Sequence, residues 1–216
     1  MKAEILKSDQ LKVSNTLESL GLKDDWLKIV CQRALFAYNQ ATQHDAINAA
    51  GSYAYFAVVR ALRDVLCPKG WCLRREKNLE FTINPTNDVG IIVSSGNKDT
   101  GIHNGYPKTK NQKGKQTKGV IAHNQMLIWP ELENKFEIPT TWILLFHFDT
   151  VKQEMRRELS LPIEMDFSEL RVSGWNTRII LPPVSFIPSL SLPDNPIYPD
   201  GVQPEFEIKI RRREDE

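Results

Sequence analysis

Lysine and glycine are concentrated between residues 96 and 119. We expect residues 97–119 to form one long loop. Five of the eleven glycines lie in residues 96–119, and six lysines accompany a single acidic residue, Asp99, which gives the segment a net charge of +5. Lysines on a flexible backbone can follow a chain of phosphates, and release of the counterions of that chain drives binding. Loops this long within a compact domain usually have a function or are disordered.

The candidate contacts with a nucleic acid are the lysines of this loop and one tyrosine, whose ring can stack on a base. They are Lys98, Tyr106, Lys108, Lys110, Lys113, Lys115 and Lys118. We expect the loop to be mobile without a partner. The alternative is a solvated connector that its lysines keep soluble. A Walker phosphate-binding loop is excluded, because Gln116 follows Gly114-Lys115 and no glycine lies five residues before Gly114.

A second pattern lies near the C-terminus, where Pro199-Asp200 is followed by Glu207-Ile208-Lys209. It resembles the motif of restriction-type nucleases, in which two acids hold a divalent metal and a lysine orients water or stabilises charge. The gap between the two acids is only six residues, which is tight for the hairpin of that motif. We therefore expect an edge strand there, with its charges facing water.

The order of elements between residues 60 and 96 is similar to the core of restriction-endonuclease-like folds. A predicted helix is followed by a strand hairpin that ends at Ser94 and Ser95. In such a core an acid is expected where these two serines stand, although Asp88 and Lys98 are nearby. The resemblance therefore implies a degenerate nuclease-like domain.

His147 and Asp149 lie two residues apart on a predicted strand and should face the same side of the sheet. Two such ligands can begin a metal site, which His103 and His123 would have to complete in space. A histidine at a strand end is more often bonded to an acid or to the backbone. We predict no metal site and no cofactor; a divalent metal is expected only if the chain is a nuclease.

Three arginines are expected on neighbouring strands, namely Arg156, Arg157 and Arg178. They either extend a basic face or pair at the surface with Glu154, Glu158 and Glu169. Surface pairs of this kind contribute little stability.

The three cysteines, Cys31, Cys67 and Cys72, favour a reducing compartment, because an odd and low number does not make a disulfide framework. The first twenty residues carry charges throughout and lack the apolar stretch of a secretory signal. The longest apolar runs are too short to span a bilayer. We therefore expect a cytoplasmic protein without a membrane partner.

The composition is that of a globular chain. Of its 216 residues, 41% are hydrophobic and 25% are charged, and 28 basic residues against 27 acidic ones leave a net charge of +1. A globally basic protein that binds polymers along its whole surface is thereby excluded, whereas a local basic site is not.

Hydrophobic spacing predicts helices in the first third of the chain, over residues 9–20, 24–43 and 46–66. The second helix should bury an apolar stripe that includes Ile29, Ala34 and Phe36. Asp45 is expected to begin the third helix, and Pro68 with Gly70 to end it.

Alternating apolar residues predict strands in the rest of the chain. Residues 79–83 and 89–93 should form a hairpin, residues 141–148 the strongest strand, residues 157–161 its antiparallel partner, and residues 175–181 a further strand. Trp142 is expected in the core and Trp175 partly exposed at a turn. For residues 120–129 the pattern does not separate helix from strand.

Helices first and strands afterwards are typical of an α+β fold. We predict a single α+β domain over residues 1–181, in which the N-terminal helical segment packs on a mainly antiparallel sheet. Seven of the thirteen prolines lie in residues 182–204, so we expect residues 182–216 to form a Pro-rich extended arm with a charged tail.

These observations favour a nucleic-acid-interacting accessory protein that uses the lysine-rich loop. One alternative is a metal-dependent or degenerate restriction-endonuclease-like nuclease. Another is a non-enzymatic adaptor whose Pro-rich arm binds a protein partner in an extended conformation. Whether the chain is an enzyme stays open among these hypotheses.

Overall fold

The structure, a computed structural model, describes residues 3–7, 10–76, 78–128, 139–166 and 168–185, without the side chains of residues 127 and 128. All of these residues belong to one compact unit. The nuclease-like motif at residues 199–209, the predicted edge strand at residues 205–210 and the arm beyond residue 185 lie outside the described residues.

The described ranges contain four α-helices and seven strands. The helices are α1 (Gln10–Ser19), α2 (Asp24–Tyr38), α3 (Ala49–Leu66) and α4 (Lys115–Ile128). The strands are β1 (Glu4–Leu6), β2 (Cys72–Glu76), β3 (Leu79–Asn84), β4 (Val89–Ser95), β5 (Thr140–Asp149), β6 (Glu154–Asp166) and β7 (Arg171–Ser185). Within these ranges, no helix combines the length and the apolarity that crossing a membrane requires.

The seven strands form one mixed sheet in the order β1-β7-β6-β5-β4-β3-β2. Four of its six neighbouring pairs are antiparallel, and the pairs β1–β7 and β4–β5 are parallel. The predicted α+β class and the mainly antiparallel sheet are therefore confirmed. So are the hairpin of β3 with β4 and the antiparallel pairing of β5 with β6.

A crossover through α4 joins the parallel strands β4 and β5, and the sequence did not predict it. Residues 120–128, for which the sequence pattern did not separate helix from strand, are helical. α4 begins earlier, at Lys115, within the predicted loop. Because β4 and β5 run in the same direction, their carboxyl ends lie at the same edge of the sheet. Ligands commonly bind at such an edge in sheets that contain parallel strands.

Helices cover both faces of the sheet. The larger apolar cluster joins α1, α2 and α3 to one face, where Leu27, Leu62 and Leu144 are buried together. The smaller cluster lies on the other face, where Val120 of α4 packs with residues such as Ile143 and Trp175. The predicted packing of the N-terminal helices on the sheet is confirmed, and α4 adds a layer on the opposite side.

The buried face of α2 differs from the predicted stripe. Its buried residues are Leu27, Val30, Cys31, Ala34 and Leu35. They repeat at intervals of three and four residues, which places them along one side of the helix. Phe36, which was expected in the stripe, is 69% exposed, and Ile29 is exposed as well.

α3 begins at Ala49, three residues later than predicted. Asp45 does not start the helix, because its carboxylate accepts hydrogen bonds from the backbone of Thr42 at 2.8 Å and from the hydroxyl of Tyr53 at 2.7 Å. The predicted end is confirmed, since a short 3-10 turn over Cys67–Lys69 leads into Gly70, which has a φ of 92°.

Trp142 is buried in the core as predicted, but Trp175 is not at an exposed turn. It lies within β7 and is only 4% exposed. Its indole N–H donates to the carbonyl oxygen of Pro107 at 2.8 Å. The lysine-rich segment therefore covers this ring. The residues next to Trp175 in the sequence give no sign of this burial.

β7 continues to Ser185, so the first four residues of the predicted arm are strand. β1 pairs with residues 177–179 only, which leaves the following residues of β7 as an edge within the described chain. The pairing with β6 is irregular opposite residues 182 and 183. Prolines are tolerated at edges and irregularities of this kind, because no ladder hydrogen bond from their nitrogen is required.

Candidate functional site

The lysine-rich segment is divided into two structurally different parts. Residues 97–109 pack on the sheet, whereas residues 110–117 line a cleft. An isolated bridge between Gly96 and Thr109 closes the first part, and Lys115 begins α4 at the end of the second. The prediction of one continuous loop over residues 97–119 is therefore wrong, and Lys115 and Lys118 are helical residues.

A buried ion pair lies beneath the first part. Glu158 on β6 is 0% exposed and Arg178 on β7 is 2% exposed. One guanidinium nitrogen of Arg178 donates to Glu158 Oε2 at 2.7 Å, and its Nε donates to Oε1 at 3.3 Å. The Ser160 hydroxyl also donates to Glu158 Oε1, at 3.0 Å. The expected pairing of Arg178 with Glu158 thus exists, but in the interior and not at the surface.

This ion pair holds the segment in place. Arg178 donates to the carbonyl oxygens of Ile102 and Gly105, each at 3.0 Å, and the backbone N–H of Gly101 donates to Glu158 at 2.9 Å. Gly101 has a φ of 73°, and an added Cβ would lie 3.0 Å from the Cβ of Arg156. Residues 101–109 are therefore attached to the sheet by specific hydrogen bonds. That the segment is mobile without a partner stays a prediction.

Four of the seven predicted contact residues lie outside the cleft. Lys98 and Lys118 are exposed, and Tyr106 is 83% exposed. The Lys108 ammonium lies 3.2 Å from a carboxylate oxygen of Asp166 and equally far from one of Glu169. These two carboxylates raise the pKa of Lys108, so its charge is already compensated within the protein.

The cleft has a volume of about 970 Å³ and lies at the carboxyl ends of β4 and β5. Its lining comes from the ends of these two strands, from the end of α2, from the start of α3 and the residues before it, from Asn78 and Leu79, and from residues 110–117. The remaining three predicted lysines, Lys110, Lys113 and Lys115, are all in this lining, and we refer to them as the cleft lysines.

The lining is positively charged. Besides the cleft lysines it contains His147, and among its described residues there is neither an aspartate nor a glutamate. None of the cleft lysines has an acidic partner within salt-bridge distance in the part of the chain that the structure describes. Lys113 is partly buried, and this burial lowers the pKa of its ammonium group.

Backbone hydrogen bonds place the cleft lysines. The N–H of Lys110 donates to the carbonyl oxygen of Ser95 at the end of β4, at 2.8 Å, and the N–H of Lys113 donates to that of Leu170 at 2.7 Å. Lys115 is the first residue of α4. The positions of these lysines are therefore fixed by the sheet and by the start of a helix.

Aromatic side chains from three elements share the cleft with the lysines. Tyr55 and Phe56 come from α3, and Phe56 is 65% exposed. Tyr38 of α2 stacks on Phe148 of β5, with their ring centroids 3.9 Å apart. Sequence analysis missed these residues, because nothing local connects α2 and α3 with the end of β5.

His147 lines the cleft near the end of β5, and its Nδ1 lies 3.3 Å from the carbonyl oxygen of Gly96. Burial lowers the pKa of its ring. Asp149 does not join it in a common site, since its carboxylate is engaged by Arg156 at 3.4 Å and by backbone N–H groups. The described residues contain no group of three or more histidine, cysteine or acidic side chains that could hold a metal.

The predicted helix and hairpin of residues 60–96 are formed by α3, β3 and β4, with a further strand, β2, between the helix and the hairpin. Ser94 and Ser95 stand at the end of β4 and line the cleft. The described lining supplies no carboxylate for the divalent metal that the nuclease alternative requires.

Comparison of the chain with protein-family models, with curated proteins and with solved structures found no match. What the cleft binds must therefore be inferred from its own residues.

Proposed function

We propose that the cleft binds a single-stranded nucleic acid, with the cleft lysines on its phosphates and the aromatic rings of the cleft against its bases. The observation that carries the proposal is the charge of the lining, in which three lysines occur without a carboxylate among the described residues. A ligand with several negative charges would supply the partners that these lysines lack within the described chain.

The positive charge is local, since the whole chain has a net charge of only +1. A cleft lined by one sign of charge raises the local concentration of oppositely charged ligands. The first turn of α4 lines the same cleft, and its backbone N–H groups add to the positive potential there. Both effects favour a polyanion over a neutral ligand.

The aromatic side chains favour a single strand over a duplex. In a duplex the bases are stacked on each other, whereas an unpaired base can stack on a protein ring such as that of Phe56. Base–aromatic stacking combined with a positively charged groove is the usual arrangement in proteins that bind single strands without sequence preference. A cleft of about 970 Å³ lies at the upper end of the range of small-molecule sites, which is roughly 300–1,000 Å³.

We place this activity in the cytoplasm. All three cysteines are free thiols, which is the ordinary state in a reducing compartment. The adaptor hypothesis depends on the Pro-rich arm, most of which lies outside the described residues, and it stays an alternative.

The proposal is tested by replacing the cleft lysines together with alanine and measuring the binding of a labelled single-stranded oligonucleotide by fluorescence anisotropy. The matched control replaces Lys7, Lys28 and Lys152, three exposed lysines outside the cleft, with the same change in net charge. We expect the cleft variant to lose affinity. Its log–log salt dependence should flatten by about 2, since each phosphate contact on a single strand contributes roughly 0.7.

Equal losses in the cleft and control variants would attribute binding to overall charge and contradict the proposal. A third variant, Lys98→Ala with Lys118→Ala, tests two exposed lysines that the sequence also predicts as contacts. If that variant alone abolished binding, the contact would lie outside the cleft. If the unmodified protein bound no single-stranded DNA or RNA at low salt, where such contacts are least screened, the proposal would be wrong.

A further inference from the structure

His147 is held in a defined orientation at the edge of the cleft. Its Nδ1 lies 3.3 Å from the carbonyl oxygen of Gly96, which can only accept a hydrogen bond. The proton of the neutral ring therefore sits on Nδ1, and the lone pair sits on Nε2. No described residue forms a hydrogen bond with Nε2. A neutral imidazole with one nitrogen anchored and the other unoccupied is the arrangement of a general base.

The surroundings of the ring favour its neutral form. Burial is the largest influence and lowers the pKa of His147, and the nearby charges of Arg156 and Lys110 lower it further. The hydrogen bond to Gly96 and the carboxylate of Asp149 act in the opposite direction. Asp149 is itself engaged by Arg156 at 3.4 Å. Near pH 7 the ring is therefore available to accept a proton.

A potential proton donor, Lys110, lies close enough to the ring for its charge to act on the pKa of His147. The backbone of Lys110 is bonded to the carbonyl oxygen of Ser95 at 2.8 Å, and His147 is bonded to that of the next residue, Gly96. The backbone of Lys110 and the ring of His147 are therefore bonded to two consecutive residues at the end of β4. Lys110 has no acidic partner within salt-bridge distance among the described residues, so its ammonium group can contact a phosphate of the ligand.

We propose that the cleft cleaves RNA without a metal ion, with His147 as the general base and Lys110 as the general acid. The proposal rests on the proposed function, because the strand must first bind. Nε2 of His147 takes the proton of a ribose 2′-hydroxyl, and the 2′-oxygen forms a bond to the adjacent phosphorus. The bond from phosphorus to the 5′-oxygen breaks, and this oxygen takes a proton from the Lys110 ammonium. The products are a 2′,3′-cyclic phosphate and a 5′-hydroxyl, and exchange with water restores both side chains.

This chemistry fits a lining that lacks carboxylates in its described part. A two-metal mechanism needs acidic ligands, whereas attack by the 2′-hydroxyl needs a base, an acid and positive charge near the phosphate. Lys113 can supply further positive charge in the same cleft. DNA has no 2′-hydroxyl, so the inference predicts that single-stranded DNA is bound but left intact.

The test incubates the full chain with a labelled single-stranded RNA in the presence of EDTA. The parallel substrates are the same RNA with one 2′-deoxynucleotide at a cleavage position, and DNA of the same sequence. We expect cleavage of the RNA into ends with a cyclic phosphate and a 5′-hydroxyl, and no cleavage at the 2′-deoxynucleotide. Anisotropy measured on the DNA reports binding independently of cleavage.

Two variants and a control assign the roles. His147→Asn keeps a side-chain N–H that can donate to Gly96 but removes the base; we expect cleavage to fall by about 10²–10⁴-fold with unchanged DNA binding. Lys110→Ala should also slow cleavage. His103→Asn, at an exposed histidine outside the cleft, should leave it unchanged. In the unmodified protein the rate should rise with pH, with a midpoint below the ordinary histidine value of 6.5.

The possible results are distinguishable. Binding of RNA and DNA without cleavage of RNA overturns this inference and leaves the proposed function in place. If the protein binds neither the RNA nor the DNA, both this inference and the proposed function are wrong. Cleavage that persists at a normal rate in His147→Asn, that requires a divalent metal, or that also cuts DNA contradicts the assignment of His147 as the base.

Discussion

Replacing Arg178 should destabilise the protein strongly, because this residue neutralises a carboxylate that has no access to water. Glu158 is 0% exposed, and in the described chain its charged partner is Arg178, at 2.7 Å. The variant Arg178→Met replaces the guanidinium group with an unbranched apolar side chain and leaves the buried carboxylate of Glu158 without its charged partner. Breaking a buried pair in this way costs roughly 3–5 kcal/mol. Since native domains are stable by only about 5–15 kcal/mol, the loss is a large share of the total.

The double variant Glu158→Leu with Arg178→Met separates two contributions to the free energy of unfolding. One is the cost of an unpaired buried charge, and the other is the net stabilisation by the intact ion pair. Removing both partners eliminates the buried charge, so it should be less destabilising than Arg178→Met alone. Recovery should be incomplete, because Gly101, Ile102 and Gly105 also lose their hydrogen-bond partners. Exchange of the backbone amides of residues 101–109 should accelerate in both variants, since this pair attaches the segment to the sheet.

The assay is urea unfolding followed by tryptophan fluorescence, with Arg60→Met as the control. Arg60 and Asp64 form an exposed pair on α3, whose removal should leave the unfolding midpoint nearly unchanged. The reasoning is refuted if Arg178→Met unfolds at the same urea concentration as the unmodified protein. It is equally refuted if the double variant is less stable than Arg178→Met.

Two further predictions concern groups that are buried by α4 and α2. The amide of Asn124 on α4 donates to the carbonyl oxygens of Thr141 and Pro162 and accepts from the N–H of Thr141. Because each unsatisfied buried group costs roughly 1–3 kcal/mol, Asn124→Leu should lower the free energy of unfolding by about 3 kcal/mol. An unchanged urea midpoint would contradict this. Burial raises the pKa of the Cys31 thiol to about 11, whereas Cys72 is exposed. A thiol reagent at pH 8 should therefore modify Cys72 in the native state and Cys31 only on unfolding. Rapid labelling of Cys31 in the native state would contradict this and would show that α2 opens readily.

The elements that could be predicted from the sequence are those whose pattern is local. The strands of the β3–β4 hairpin and β5 have strong alternating or apolar runs, and the three N-terminal helices have the spacing of amphipathic helices. α4 was not assigned, because its first turns carry lysines and Gly119, which resemble a loop in composition. The parallel pairing of β4 with β5 depends on that helix, so the crossover and its cleft were missed with it.

The candidate site was predicted only in part for the same reason. Composition located a positive segment but treated all of its lysines alike. Whether a lysine is compensated depends on residues far away in sequence: Lys108 meets Asp166, 58 positions further along the chain, whereas Lys110 meets no acid in the described part. The aromatic rings and His147 reach the cleft through tertiary packing, which has no local pattern.

The central claim is that the cleft lysines contact the nucleic acid, and chemical footprinting of lysines tests it most directly. The protein is acetylated briefly with and without a saturating single-stranded oligonucleotide, and the modification of each lysine is read by peptide mass spectrometry. The account predicts protection of Lys110, Lys113 and Lys115, with Lys98 and Lys118 modified equally in both states. Protection of Lys98 and Lys118 with no change at the cleft lysines would contradict it.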